Sequence, residues 1–205
     1  MKKYLVLALC LLILTVGHAQ NYTEYFADKT LRVDYIFTGD ASCQNVCLDE
    51  LSVLPSWAGR RQHLAELPLQ GNGQIIMKDL ESGKTVYTTS FSSLFQEWLE
   101  TDEAKVVSKG FENTFLLPYP LRPVEIEITL LSPRKEVRTC LKHTVRPDDV
   151  LIHQKGTAHI TPHKYLLKSG ETDKCIDVAI LAEGYTPAEM DLFYQDAEIA
   201  CKSLF

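Results

Sequence analysis

The stretch L-R-V-D-Y-I-F-T at residues 31–38 decides the fold class of this chain. Apolar side chains recur at every second position of the stretch, and two of the positions between them carry charges. A period of two is typical of a β-strand that turns one face toward a hydrophobic core. We therefore predict a strand whose buried face consists of Leu31, Val33, Tyr35 and Phe37.

Further strands are predicted on both sides of a polar connection that lies between Pro55 and Pro68. Apolar positions at Val46, Leu48, Leu51 and Val53 form a second strand, and the change of phase between Leu48 and Leu51 indicates a β-bulge. Residues 73–80 and 84–91 flank a short turn that contains glycine, which predicts a β-hairpin.

A second hairpin is predicted from alternating apolar positions in residues 124–130 and 137–143, with a turn at residues 132–135. Prolines 118, 120 and 123 confine the preceding segment to an edge strand or a loop. Residues 92–107 carry apolar side chains at helical spacing and predict a short helix between strands. About six or seven short strands within residues 20–146 predict a mainly β protein with an immunoglobulin-like antiparallel β-sandwich.

Residues 1–19 have the pattern of a secretory signal peptide. A short basic head precedes an apolar run at residues 4–16, and small residues stand at Gly17 and Ala19. The run is shorter than the roughly 20 residues that a membrane-spanning helix needs. We predict cleavage, export to the periplasm, cell surface or medium, and no stable membrane span afterwards; a retained anchor is the alternative.

Composition limits the class of protein. The 205-residue chain is 45% hydrophobic and 23% charged, which is typical of a globular protein and excludes disorder of the whole chain. Its formal net charge is −6, so we expect no nucleic-acid partner. Signal cleavage removes one cysteine and leaves an odd number, Cys43, Cys47, Cys140, Cys175 and Cys201. A Cys43–Cys47 bridge and buried free thiols are both open, and no disulfide framework is visible.

Residues 147–173 are rich in turn-forming residues and are predicted to be a linker. The linker contains His153, His159 and His163, whose spacing invites a zinc interpretation. Pro162 disfavours the helix that such a site needs, and no glutamate follows His159. We therefore favour ordinary loop histidines over a metal site.

Residues 174–205 have the pattern of an α/β unit. The near-continuous apolar run at residues 175–182 predicts a strand buried on both faces. The sequence T-P-A-E at residues 186–189 then predicts a helix start, followed by a helix with one apolar face. One strand and one helix cannot bury both faces of the strand and the apolar face of the helix, so we expect a truncated start of an α/β domain. A terminal appendage packed on the sandwich is the alternative.

Five stretches of the chain resemble the N-terminal half of secreted bacterial zinc metallopeptidases of the IgA-peptidase family, especially those of gut Bacteroidetes. The stretches are R-V-D-Y-I-F-T-G (32–39), L-P-S-W-A-G-R-R (54–61), T-S-F-S-S-L-F-Q-E-W (89–98), G-F-E-N-T-F-L-L-P-Y-P (110–120) and D-V-A-I-L-A-E-G-Y-T (177–186). The resemblance implies an N-terminal β-sandwich domain followed by the first strand and helix of a catalytic domain.

The resemblance also implies catalysis by an H-E-x-x-H zinc helix further downstream, and the sequence contains no H-E-x-x-H. We therefore assign no catalytic, cofactor-binding or metal residue and expect zinc to bind outside this chain. Glu183 and Tyr185 belong to the last stretch. They either form a turn that orients the following helix or lie at the margin of an active site. The expected function is the accessory, substrate-orienting part of an exported peptidase that acts on protein. A stand-alone secreted module that binds protein or glycan is the alternative.

Overall fold

The computed structural model describes residues 21–67, 69–156, 161–171 and 174–204. The predicted signal peptide lies outside these residues. Among the described residues, no helix has both the length and the apolar character needed to cross a bilayer.

The chain forms two four-stranded sheets, which confirms the predicted mainly β architecture and the sandwich. In chain order the strands are β1 (Phe26–Gly39), β2 (Gln44–Leu54), β3 (Gly73–Asp79), β4 (Thr85–Phe91), β5 (Lys109–Pro120), β6 (Val124–Leu131), β7 (Val137–Val145) and β8 (His153–Gln154). The first sheet has the order β5-β1-β2-β8 and the second has the order β4-β3-β6-β7. Every strand pair is antiparallel except the short parallel pair of β2 and β8.

Strand β1 lies inside the first sheet between β5 and β2. Its four predicted core residues are at most 1% exposed, which confirms the period-two prediction. The predicted bulge in β2 is also present, because Asp34 pairs with Glu50 whereas Tyr35 pairs with Leu48, which leaves Asp49 as the extra residue. The facing core of the second sheet is formed by Ile75, Met77, Ile126, Ile128 and Leu130.

Both predicted hairpins are confirmed: β3 pairs with β4, and β6 pairs with β7. In the first turn Gly83 has a φ of +68°, which a residue without a Cβ adopts at little cost. Strand β5 pairs only with β1, so Pro118 and Pro120 stand on an edge strand, where a missing amide proton is tolerated.

Three α-helices are described: α1 (Tyr22–Tyr25), α2 (Leu94–Trp98) and α3 (Met190–Leu204). The helix predicted over residues 92–107 is shorter than expected, since α2 spans one turn and is followed by a separate 3-10 turn at Glu103–Lys105. The helix stops early where Trp98 packs against Phe111 of β5, with ring centroids 5.4 Å apart.

The predicted linker begins as part of the sandwich, which corrects its expected character up to Lys155. His153 and Gln154 form β8 on the outer edge of β2, and the amide of Lys155 donates to the carbonyl of Val53 at 3.0 Å. Ile152 is buried in the core. The physical reason is that the edge of β2 has open backbone groups, and this segment satisfies them.

Candidate functional site

The connection after β2 covers the free edge of β4. The amide of Thr88 in β4 donates to the carbonyl of Leu64 at 2.8 Å. The guanidinium of Arg60 donates to the carbonyls of Leu64, Glu66 and Thr88 and so joins the connection to the strand. An edge strand covered in this way is protected from pairing with another chain.

The neighbouring Arg61 joins the same connection to the start of β1. Its guanidinium lies 2.7 Å from Asp28 and 4.8 Å from the ring centroid of Tyr22. The hydrogen bond from Arg61 holds the pKa of Asp28 below its usual value. The indole of Trp57 donates to the carbonyl of Arg60 at 3.1 Å, so the residues of the L-P-S-W-A-G-R-R stretch hold one another in place.

A second cluster is formed by aromatic side chains from β1, β4, α2 and β5. Ring centroids lie 4.5 Å apart for Phe91 and Phe115 and 6.1 Å apart for Phe37 and Phe95. These distances are typical of favourable aromatic pairs. The cluster comprises Tyr35, Phe37, Phe91, Phe95, Trp98, Phe111 and Phe115.

Gln96 in α2 is a buried polar residue that the sequence analysis missed. Its side-chain amide donates to the carbonyls of Asn72 and Leu131, and its Oε1 accepts from the hydroxyl of Ser93. The pattern Ser-x-x-Gln at residues 93–96 is a capping-box signature and is the signal that finds this residue. A cavity of about 180 Å³ lies beside it, lined in part by Glu97, Glu100 and Arg138.

A hydrogen bond joins two titratable side chains of opposite sheets within the sandwich. The hydroxyl of Tyr35 lies 2.6 Å from Nε2 of His143, and burial lowers the pKa of His143 to about 4. The sequence analysis placed His143 on a strand but gave no sign of this contact, because the two residues are far apart in the sequence.

Four of the five stretches that carry the family resemblance thus build the core, the cover of the β4 edge and the aromatic cluster. The family described as peptidase M64 N-terminus matches residues 21–142. The chain belongs to this family. No curated protein matches the sequence. The matched M64 N-terminal region ends within β7, so β8, the following segment and α3 lie beyond it.

Two histidines of the predicted linker, His153 and His163, have different neighbours. Nδ1 of His153 lies 3.4 Å from Glu50, whose carboxylate is also bound by the ammonium group of Lys155 at 2.9 Å. Nδ1 of His163 faces the carbonyl of Thr161. His159 lies outside the described residues. Among the residues that the structure describes, no group of three or more His, Cys, Asp or Glu side chains is placed to hold a metal ion.

The strand predicted after the linker is not formed. Residues 176–182 have no regular secondary structure. Four of their apolar side chains are exposed to solvent, and we call these four residues the apolar segment. The exposed fractions are 93% for Ile176, 61% for Val178, 40% for Ile180 and 78% for Leu181. The physical reason for the difference is that no other strand of the described chain offers its backbone groups to this segment.

The turn and helix start that follow are confirmed. Gly184 has a φ of +84°, and the carboxylate of Glu189 accepts from the amide of Thr186 at 2.9 Å and from its hydroxyl at 2.7 Å. Pro187–Glu189 is a 3-10 turn that leads into α3. Tyr185 donates to Asp196 at 2.9 Å and packs on Phe193, so it holds the turn against the helix.

The apolar face of α3 is covered only in part. Phe193 and Ala197 are buried, and Lys164 of the preceding segment pairs with Glu198 at 3.0 Å. Leu204, on the same face, is 68% exposed. The cysteines also differ from the buried thiols considered above, because Cys43, Cys47, Cys140 and Cys175 are free and exposed.

Proposed function

We propose that this chain is the N-terminal, non-catalytic part of an exported zinc-dependent metallopeptidase that hydrolyses peptide bonds. The family match supports the position within a peptidase of the M64 family. In this proposal the sandwich carries and orients the catalytic part and helps to present protein substrate to it. The proposal does not name immunoglobulin as the substrate, although the family that the chain resembles is named after it.

The apolar segment is the observation that carries the proposal. Side chains of Ile, Val and Leu are stabilised by about 1.5–3 kcal/mol each when they are fully buried. Four such side chains stand exposed within six residues, directly before a helix whose apolar face is half covered. A surface of this kind fits a partner sheet and helices, and we propose that the catalytic part supplies them.

The described residues do not fit a catalytic zinc ion. Zinc requires three or four nitrogen, sulfur or carboxylate ligands converging on one point. His153 has a single carboxylate beside it, and the ammonium group of Lys155 already neutralises that carboxylate. No step of peptide hydrolysis is therefore assigned to these residues, and zinc in the complete peptidase stays a prediction.

The first test determines the nucleotide sequence that follows the codon for Phe205 and the peptidase activity of the encoded protein. We expect the native reading frame to encode an H-E-x-x-H helix after Phe205, and the complete product to cleave unfolded protein. We expect the chain to Phe205 to bind less than stoichiometric zinc and to cleave nothing. A native stop codon after Phe205 would contradict the proposal and favour the stand-alone binding module, and so would cleavage by the present chain.

The second test concerns the apolar segment within the complete product. The double variant Val178→Asp, Ile180→Asp is expected to lower specific activity by about tenfold or more. In the proposal the catalytic part buries these two side chains, and the variant would place two charges in that interface. The matched control is Val137→Asp, since Val137 is exposed to 65% and Val178 to 61%. Equal activity of the two variants would contradict a docking role of the segment.

A further inference from the structure

Tyr35 and His143 connect the two sheets of the sandwich. Tyr35 lies on β1 of the first sheet and is 1% exposed, whereas His143 lies on β7 of the second sheet. Besides the 2.6 Å contact of the hydroxyl with Nε2, the two rings meet edge to face with centroids 5.6 Å apart. Strand β7 is an edge strand that pairs only with β6 among the described strands, so this contact helps to hold it from the side of the first sheet.

The second ring nitrogen of His143 has no partner. Nδ1 is buried, and no described hydrogen-bonding group reaches it. In the neutral ring one nitrogen carries the proton, so Nε2 either accepts from the hydroxyl of Tyr35 or donates to it, depending on the tautomer. In the charged ring both nitrogens carry protons, so Nε2 donates to the hydroxyl oxygen, and the buried N–H at Nδ1 has no acceptor among the described groups.

Among the residues that the structure describes, no charged group faces His143 from the elements packed against it. On β1, Arg32 and Asp34 pair with each other on the outer face, and Glu50 of β2 stands opposite Asp34 on that face. Glu125 and Glu127 of β6 pair with Lys142 on the outer face of the second sheet.

Two further charged residues near this pair also point away from it. Asp49 of β2 is the exposed bulge residue, and Glu112 of β5 pairs in register with Ile36, whose neighbour Tyr35 points inward. Tyr35 is therefore the titratable side chain that faces His143, and nothing charged offsets a proton there.

We propose that the Tyr35–His143 contact is an acid-sensitive switch that releases β7 from the first sheet when His143 gains a proton. The released strand carries the segment after it, because Val145 is buried and the carbonyl of Pro147 accepts from Tyr119 at 2.7 Å. Acidification thus loosens the attachment of residues 147–155 and of everything that follows them. The inference does not depend on the proposed peptidase function, since it concerns the sandwich alone.

The test is amide hydrogen exchange of the complete chain, expressed as protection factors so that the intrinsic pH dependence of exchange cancels. We expect protection of β7 to fall about tenfold between about pH 7.5 and about pH 5, while protection of β3 stays constant. The variant His143→Gln, whose side chain does not titrate, is expected to lose this difference. The control His153→Gln removes an exposed histidine and is expected to behave like the native chain.

A direct measurement covers the case in which His143→Gln does not fold. Imidazole nitrogen shifts of the native chain are followed by NMR over the acidic range. We expect His143 to titrate well below the pKa of about 6.5 of a histidine in a model peptide. Titration of His143 at or above that value would overturn the proposal, as would a β7 whose protection does not fall relative to β3, or a pH effect that persists in His143→Gln.

Discussion

The guanidinium carbon of Arg60 lies 5.2 Å from the ring centroid of Tyr87, while the same group donates to the carbonyl of Leu64 at 3.2 Å. One side chain therefore contacts both the edge strand β4 and the connection that covers it. This relationship explains why an arginine stands here, because a planar fork with several donors reaches several carbonyls at once.

Replacement of Arg60 by lysine is expected to lower the free energy of unfolding by about 1.5–3 kcal/mol, because an ammonium group cannot reach the same set of carbonyls. Urea unfolding followed by tryptophan fluorescence measures the effect. The control Arg134→Lys changes an exposed turn residue and is expected to shift stability by less than about 0.5 kcal/mol. Equal effects of the two variants would show that the contacts of Arg60 do not stabilise the sandwich.

The variant Gln96→Leu is expected to destabilise the chain by about 1–3 kcal/mol, since it removes the side-chain donor to the carbonyl of Leu131 and one of the two donors to the carbonyl of Asn72, which keeps the amide of Leu131. Thermal unfolding by circular dichroism gives the change. Gln154→Leu is the matched control, because Gln154 is exposed on β8. An unchanged melting temperature for Gln96→Leu would contradict the assigned role.

The attachment of β8 is expected to depend on pH through Glu50. Hydrogen bonds from Lys155 and Ser52 lower the pKa of Glu50 to about 2. Because the unfolded value is about 4.3, this contribution is present above that pH and is lost as the pH falls toward 2. The protection factor of the Lys155 amide, which is corrected for the intrinsic pH dependence of exchange, is expected to fall over this range.

The variant Glu50→Gln isolates this contribution, because it removes the charge at every pH. We expect exchange of the Lys155 amide to be fast already at neutral pH in this variant. Glu112→Gln on β5 serves as the control and is expected to leave that amide unchanged. Slow exchange at neutral pH in Glu50→Gln would rule out the ion pair as the anchor of β8.

The variant Phe193→Ala is expected to reduce the helix signal of α3 while the unfolding of the sandwich stays the same. Phe193 is buried and packs on Tyr185. Truncation of a phenylalanine to alanine in a well-packed core lowers the free energy of unfolding by about 3 kcal/mol. We expect a smaller loss for Phe193, because only part of the surface of α3 is covered. Circular dichroism and residue-resolved exchange measure both parts. Leu192→Ala, at a half-exposed neighbouring position, is the control, and an equal loss of helix in both variants would contradict the assignment.

Local pattern predicted most of the sandwich. The alternation in residues 31–38 gave β1, the change of phase between Leu48 and Leu51 gave the bulge at Asp49, and the glycine turn at residues 81–83 gave the first hairpin. The same reasoning failed at the apolar segment, since a strand requires a neighbour, and periodicity does not reveal whether the chain provides one. It also missed Gln96, whose side chain is defined by carbonyls of two other segments.

By itself, the sequence determined the strands of the two hairpins and of the pair β1 and β2, where these strands turn and how α3 begins, because these features depend on side-chain period and on turn and capping chemistry within a few residues. Only the tertiary structure decided that Tyr35 meets His143 across 108 positions, that Arg60 covers the edge of β4 and that residues 153–154 extend the first sheet. These contacts depend on which distant segments the packing of the two sheets makes neighbours, and no local pattern contains that information.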